Sequence, residues 1–167
     1  VIGNPVTYLE GVRISDMTIE GTGASTHGLE VNYVNHSTFE RIESKNNGKD
    51  GIRTKFVRAL SFLDCHVHDN TENGIVLGDT SGNVTVRGGD VYSNTLEGIV
   101  VSLDGGAGRP FGNTFYGTIS AINGAGVGVY SADTTSFVSC WFYQAGGSQV
   151  VVSRDSVAGN SSRTVFE

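Results

Sequence analysis

Six short stretches of the chain alternate apolar and polar side chains, and each begins about 23 to 28 residues after the one before. They are GLEV from Gly28, GIRT from Gly51, GIVL from Gly74, GIVV from Gly98, GVGV from Gly126 and QVVV from Gln149. A period of two marks a β-strand with one face buried. Two inward columns follow: Leu29, Ile52, Ile75, Ile99, Val127, Val150, and Val31, Thr54, Leu77, Val101, Val129, Val152. Upstream, three more columns keep the same register. One is Ile14, Phe39, Phe62, Val86, Phe115, Phe137; the next is Met17, Ile42, Cys65, Gly89, Thr118, Cys140; the third is Ile19, Ser44, Val67, Val91, Ser120, Phe142. A helical repeat would need apolar spacings of three and four over ten or more residues, with far fewer interruptions by glycine and asparagine.

Asn47, Asn70, Asn94 and Asn123 recur at a turn between the strands. Asparagine tolerates left-handed backbone, and its amide can bond the same amide one coil away. The repeat therefore predicts an all-β fold: a single-stranded right-handed parallel β-helix, a solenoid of about six coils of roughly 22 to 29 residues. No coil can bury its apolar edge alone, whereas stacking at about 4.8 Å joins like residues into columns and pairs every strand. We read one domain over residues 1–167, with regular coils over about 11–153 and an irregular segment over 154–167. Cys65 and Cys140 share an inward column three coils apart, about 14 Å, so both are expected as free thiols.

Composition narrows this further. Glycine supplies 24 residues and proline 2, which suits many tight turns and excludes collagen-like or proline-rich chains. The net charge of -6 argues against generic nucleic-acid binding, which needs a clustered positive field. No run of eighteen apolar residues and no leader-like start is visible, so neither a membrane span nor a signal peptide is expected in these residues. The cysteines lack CxxC spacing, and neither a metal nor a cofactor is expected. A solenoid needs its end strands covered, and no capping element is evident in the first or last residues. The expectation is a piece of a longer chain with capping domains, or a subunit capped in an oligomer.

The register also assigns the outward residues of one sheet: Thr18 and Glu20, Glu43 and Lys45, His66 and His68, Asp90 and Tyr92, Ile119 and Ala121, Trp141 and Tyr143. Glu43, His66 and Asp90 fall on consecutive rungs, which puts the two carboxylates about 9 to 10 Å apart at the backbone, near the upper edge for an inverting glycosidase. In that reading one carboxyl protonates the leaving oxygen, the other activates water, and His66 between them tunes both or carries the proton. His68, Tyr92, Trp141, Tyr143 and Lys45 are the candidate substrate-binding residues, the aromatic ones because sugar rings lie on flat apolar surfaces. The plainer alternative is a solvated face of stacked mixed charges, with the aromatic residues packing on a neighbouring chain.

Two further features invite a ligand. Arg41, Lys45, Lys49, Arg53, Lys55 and Arg58 hold six of the eleven positive charges within eighteen residues, interspersed with Glu40, Glu43 and Asp50. The longest coil carries its extra residues in LDGGAGRPFGN, which could project Asp104, Arg109 and Phe111 over a neighbouring face as a substrate-binding loop.

Segments such as DNTENGIVL and SNTLEGIVV, over residues 11 to 153, resemble the pectate-lyase-like superfamily of parallel β-helices, which includes polysaccharide lyases, glycoside hydrolases, C5-epimerases and bacteriophage tailspikes. The sequence has no DPH segment like that of the alginate epimerases and no carboxylate cluster like the calcium site of pectate lyases. The resemblance implies a polysaccharide partner and an extracellular or virion-surface location. It implies a tailspike segment or secreted polysaccharide-active protein, in the hydrolase case a depolymerase, and a homotrimer if the tailspike analogy extends to assembly. A non-enzymatic shaft or adhesin is the first alternative. A polysaccharide lyase using Lys45, Tyr92 or His68 as base is the second.

Overall fold

The computed structural model describes residues 7–22, 25–103, 108–143, 145–153 and 163–167. The expected columns hold their register, and their middle apolar members are buried. The end members Met17, Val150 and Val152 are exposed, because the outermost strands have a stacked rung on one side only. Six parallel strands form one sheet: Leu29–Asn32, Ile52–Lys55, Ile75–Leu77, Glu97–Ser102, Ala125–Tyr130 and Val150–Ser153. Its rungs pair Leu29 with Ile52, Ile52 with Ile75, Ile75 with Ile99, Ile99 with Val127 and Val127 with Val150.

The second sheet is bent into two rows. One contains His66–His68, Asp90–Tyr92, Ile119–Ala121 and Trp141–Tyr143. The other contains Arg58–Leu63, Thr85–Arg87, Phe111–Tyr116, Asp133–Val138 and Thr164–Phe166. In the first coils Arg13–Glu20 and Val34–Lys45 run through both rows without a break. The core lies inside the resulting three-sided coil. Phe39 stacks on Phe62 with ring centroids 5.1 Å apart, and Phe115 stacks on Phe137 at 4.8 Å. Phe137 also stacks on Phe166 at 5.2 Å, so the segment expected to be irregular supplies one more rung, Thr164–Phe166.

The asparagine ladder forms as expected, with a correction to its backbone. Each amide nitrogen donates to the next: Asn47 to Asn70 at 2.8 Å, Asn70 to Asn94 at 2.8 Å, Asn94 to Asn123 at 2.9 Å. All four side chains are buried. The left-handed residue, however, is the one before each ladder asparagine: Asn46, Asp69, Ser93 and Ile122, with φ from 53° to 55°. The turn is made one position earlier, leaving the asparagine free to point inward. There Asn70 Oδ1 accepts the Asn47 backbone N–H, Asn94 Oδ1 that of Asn70, and Asn123 Oδ1 that of Asn94. Buried backbone donors are thus satisfied by side chains where the ladder of the sheet is interrupted.

The ladder and the column beside it explain the glycines Gly28, Gly51, Gly74 and Gly98 that precede four of the repeat strands. A Cβ on Gly51 would lie 2.2 Å from Val67 Cγ1 and 2.6 Å from Asn70 Nδ2; one on Gly74 would lie 2.3 Å from Val91 Cγ1. Close approach of the ladder demands glycine here.

A second ladder runs through residues of unlike type. The Asn73 backbone N–H donates to Asp50 Oδ1 at 3.1 Å, and that of Glu97 to Asn73 Oδ1 at 3.1 Å. His27 Nδ1 is the first member, accepting the Asp50 N–H at 3.3 Å. Asp50, whose side chain is fully covered, also accepts from Arg53 Nη1 at 2.6 Å and Asn73 Nδ2 at 2.8 Å.

Cys65 is buried and Cys140 half-buried; both are free, and burial raises both thiol pKa values. Among the described residues no helix is long and apolar enough to cross a membrane.

Candidate functional site

The predicted face exists in the predicted register. Glu43, His66, Asp90, Ile119 and Trp141 form one outward column, and Lys45, His68, Tyr92, Ala121 and Tyr143 the next. The contacts within it differ from those expected of two carboxylates with His66 acting between them. His66 Nδ1 lies 3.3 Å from Asp90 Oδ2 and does not bridge to Glu43. Glu43 turns to the other column instead, with its Oε1 3.3 Å from His68 Nε2 and its Oε2 3.3 Å from Lys45 Nζ. Thr18 Oγ1 donates to Glu43 Oε2 at 2.9 Å. These donors, Thr18 first and then His68 and Lys45, lower the Glu43 pKa and hold it ionised. Glu43 is therefore unsuited to deliver a proton.

His68 is buried between its partners, with Nδ1 2.7 Å from Asp69 Oδ2 and its ring stacked on Tyr92 at 4.6 Å and 6°. The far side of Tyr92 looks over Ala121, the smallest side chain in its column, towards Tyr143 two rungs away. Two rungs span about 10 Å. A groove of about 290 Å³ occupies this interval, lined by Asp90, Tyr92, Ile119, Ala121, Ile122 and Tyr143. Ile119 and Ala121 make its floor, and the two tyrosines its walls. Trp141 sits beside Tyr143 on the outer rung, 70% exposed. A larger hollow of about 620 Å³ wraps that rung and is lined in part by Cys140 and Phe142, residues of the inward columns. It belongs to the outermost strand of the row, whereas the smaller groove lies wholly on the outward face.

Burial raises the Tyr92 phenol pKa, and Asp69, Glu43 and Asp90 raise it further against the weaker opposing effect of Lys45. This works against Tyr92 as a proton-abstracting base.

Other expected groups do not converge on the face. Arg109 Nη1 points to Asp133 Oδ1 at 3.7 Å, on the opposite row, so the long coil does not carry it over the groove. Phe111 opens a strand and packs over Gly82, where a Cβ would meet its ring at 2.2 Å, with the Arg58 guanidinium 5.9 Å from its centroid. Asp104 lies outside the described residues. The cluster of basic residues is divided among local partners: Arg41 with Asp16 and Glu40, Arg53 with Asp50, Lys45 with Glu43. Among the described residues no group of three or more His, Cys, Asp or Glu is placed to hold a metal.

One candidate surface escaped the sequence reading. On the opposite row Thr38, Ser61, Thr85, Thr114 and Ser136 occupy successive rungs of one outward column. A hollow of about 350 Å³ lies between Thr85, Arg87, Thr114 and Tyr116, with the Arg87 guanidinium 5.8 Å from the Tyr116 centroid. Its signal was present in the sequence: each hydroxyl residue precedes a member of the Phe39 column.

Residues 6–162 match the family described as a right-handed beta helix region. A comparison with curated protein sequences found no match. Among solved structures, the A-module of the mannuronan C-5 epimerase AlgE4 of Azotobacter vinelandii is similar with a TM-score of 0.76 at 20% identity. The A-module of AlgE6 from the same organism gives 0.71 at 19%. Each match covers 86% of this chain and 39% of the other, so the chain spans about two fifths of the length of those structures. At this identity the likeness is one of fold.

Proposed function

Because the chain belongs to the right-handed β-helix family, a fold that lines up side chains of successive coils into one surface, we propose that it binds a polysaccharide on the face carrying Asp90, Tyr92, Trp141 and Tyr143. The observation that carries this reading is the groove over Ala121: two tyrosine walls about two rungs apart, one braced by His68, with an open carboxylate at the rim and an exposed tryptophan alongside. Rigid aromatic walls with few polar groups suit a pyranose ring, which offers apolar C–H faces and polar edges. The fold shared with mannuronan epimerase modules supports a saccharide ligand, and the missing DPH segment argues against the same chemistry.

Binding is the conclusion, and cleavage a further step. In an inverting hydrolysis Glu43, held ionised, would activate water, and the Asp90–His66 pair would have to supply the proton. A lyase would need an easily ionised base, and the raised Tyr92 opposes that role. We place the protein outside the cell or on a virion surface, where such polymers are met, as part of a secreted polysaccharide-active protein or a tailspike.

Calorimetry and tryptophan fluorescence with oligosaccharides of neutral, amino and acidic type test the proposal. Trp141→Ala and Tyr143→Ala should each weaken binding about tenfold, the order of one aromatic contact. Release of reducing ends would add hydrolysis, and ultraviolet-absorbing unsaturated ends would add a lyase. No binding to any class would overturn the reading. The exposure of Trp141 beside the half-exposed Tyr143 also favours a second reading, a homotrimeric shaft or adhesin that buries this face between subunits. Sedimentation at micromolar concentration separates the two, because the shaft is an oligomer in which the Trp141 emission is shifted to the blue.

A further inference from the structure

Resting on the saccharide reading above, we infer that the groove selects a polymer bearing free amino groups, of glucosamine type, over one bearing carboxylates. The argument is the distribution of charge around the slot. Of the six residues that line it, one is ionisable as an acid at neutral pH, Asp90, and none is cationic. Asp90 is partly exposed, places Oδ2 3.3 Å from His66 Nδ1, and lines the groove.

The nearest positive groups are spoken for. His66 lies against Asp90 itself, Lys45 lies on Glu43, one column position and two rungs from Asp90, and His68 is held between Glu43 and Asp69. The same three carboxylates, Asp69, Glu43 and Asp90, all act on the Tyr92 wall. A sugar ring seated between Tyr92 and Tyr143 therefore meets a negative rim. An equatorial ammonium can donate to the Asp90 carboxylate, a charge-assisted bond that a neutral hydroxyl makes more weakly. A uronate in the same slot sets its carboxylate against Asp90 with no arginine or lysine to receive it, which is the arrangement that disfavours a wrong partner. The net charge of -6 adds a long-range term of the same sign.

The test compares three β-1,4- or α-1,4-linked hexamers by calorimetry: glucosamine hexamer, cellohexaose and galacturonate hexamer. We expect glucosamine to bind about tenfold tighter than cellohexaose, and galacturonate to bind weakest, as a partly screened charge-assisted contact predicts. Asp90→Asn should erase most of the advantage of glucosamine, weakening glucosamine binding far more than cellohexaose binding, its circular dichroism confirming the fold. In the unaltered protein, raising salt from about 0.05 to 0.5 M should shrink the same advantage, because the Debye length falls several-fold. Galacturonate binding as tightly as glucosamine, or an Asp90→Asn variant that keeps the preference, would overturn the selectivity while leaving saccharide binding intact. Absence of binding by all three hexamers would instead remove the saccharide reading, and this inference with it.

Discussion

Ile122 is a β-branched residue in left-handed backbone, with φ of 55°, at a position where the preceding rungs place Asn46, Asp69 and Ser93. Left-handed backbone costs most L-residues about 1 to 2 kcal/mol, and bulk at Cβ makes it worse. The side chain is exposed at 54% and lines the groove, so the strain recovers no core burial. Ile122→Asn is expected to raise unfolding stability by about 1 kcal/mol in urea titration and to loosen saccharide binding through the lost apolar lip. None of this was legible in the sequence. Among the described residues sixteen other than glycine take positive φ, and residue type gives little sign of it, because stacking on an identical corner fixes the backbone regardless of preference. Glycine count suggested tight turns, whereas the glycines before the repeat strands serve close packing. His27 is a second residue whose role depends on neighbours the repeat did not reveal. Burial lowers its pKa, outweighing the attraction of Asp50 that opposes the shift, while Arg53 and Lys49 lower it and Glu30 raises it. The unfolded chain therefore takes up the proton first. The stability that neutral His27 contributes is complete above about pH 6.5, the unfolded value, falls as pH drops towards the lowered folded value, and levels off below it. His27→Asn keeps a neutral acceptor for the Asp50 N–H and should flatten that part of a urea-midpoint profile between pH 8 and 5.

At the scale of the element, each turn is held by a side chain that does the work of a missing backbone partner. Asn94 accepts from both the backbone N–H and the side chain of Asn70, and donates to Asn123 and to the Val67 carbonyl at 3.2 Å. Asn94→Ala would strand buried donors and acceptors on two coils, each of which costs about 1 to 3 kcal/mol. We expect a loss of about 3 kcal/mol or more in chemical denaturation, and a smaller loss for Thr95→Ala, whose hydroxyl makes one bond to the Asn70 carbonyl at 3.3 Å. The asparagine ladder could be read from the sequence because one residue type recurs at one phase. The parallel ladder of His27, Asp50 and Asn73, ending at the Glu97 backbone, could not, since three different side chains meet the same backbone demand. The outward columns were equally legible, and Glu43, His66 and Asp90 do stack. Which acid meets which histidine was not, because side-chain reach lets His68 take Glu43 across the columns.

The molecule as a whole is held along one axis, since strands pair with the rung above and the rung below and the core columns follow the same direction. Phe115 is fully buried in the middle of a column, stacked on Phe137 and following Val86. Phe115→Ala removes about 3 to 5 kcal/mol of packing at that rung, by the usual cost of a buried aromatic cavity. In a nearest-neighbour solenoid that loss is felt first by adjoining coils. Hydrogen exchange should therefore speed up most in Thr85–Arg87 and Asp133–Val138, which pair with the Phe115 strand, and least in Leu29–Asn32. A uniform increase across all strands would mean that the coils open as one unit. The distinction bears on the proposed binding face, because the groove spans three rungs of the same stack, from Asp90 and Tyr92 through Ile119 and Ala121 to Tyr143. If opening is local, a saccharide bridging those rungs protects them preferentially and leaves the first coils unchanged, so ligand and mutation should trace complementary exchange patterns on the same strands.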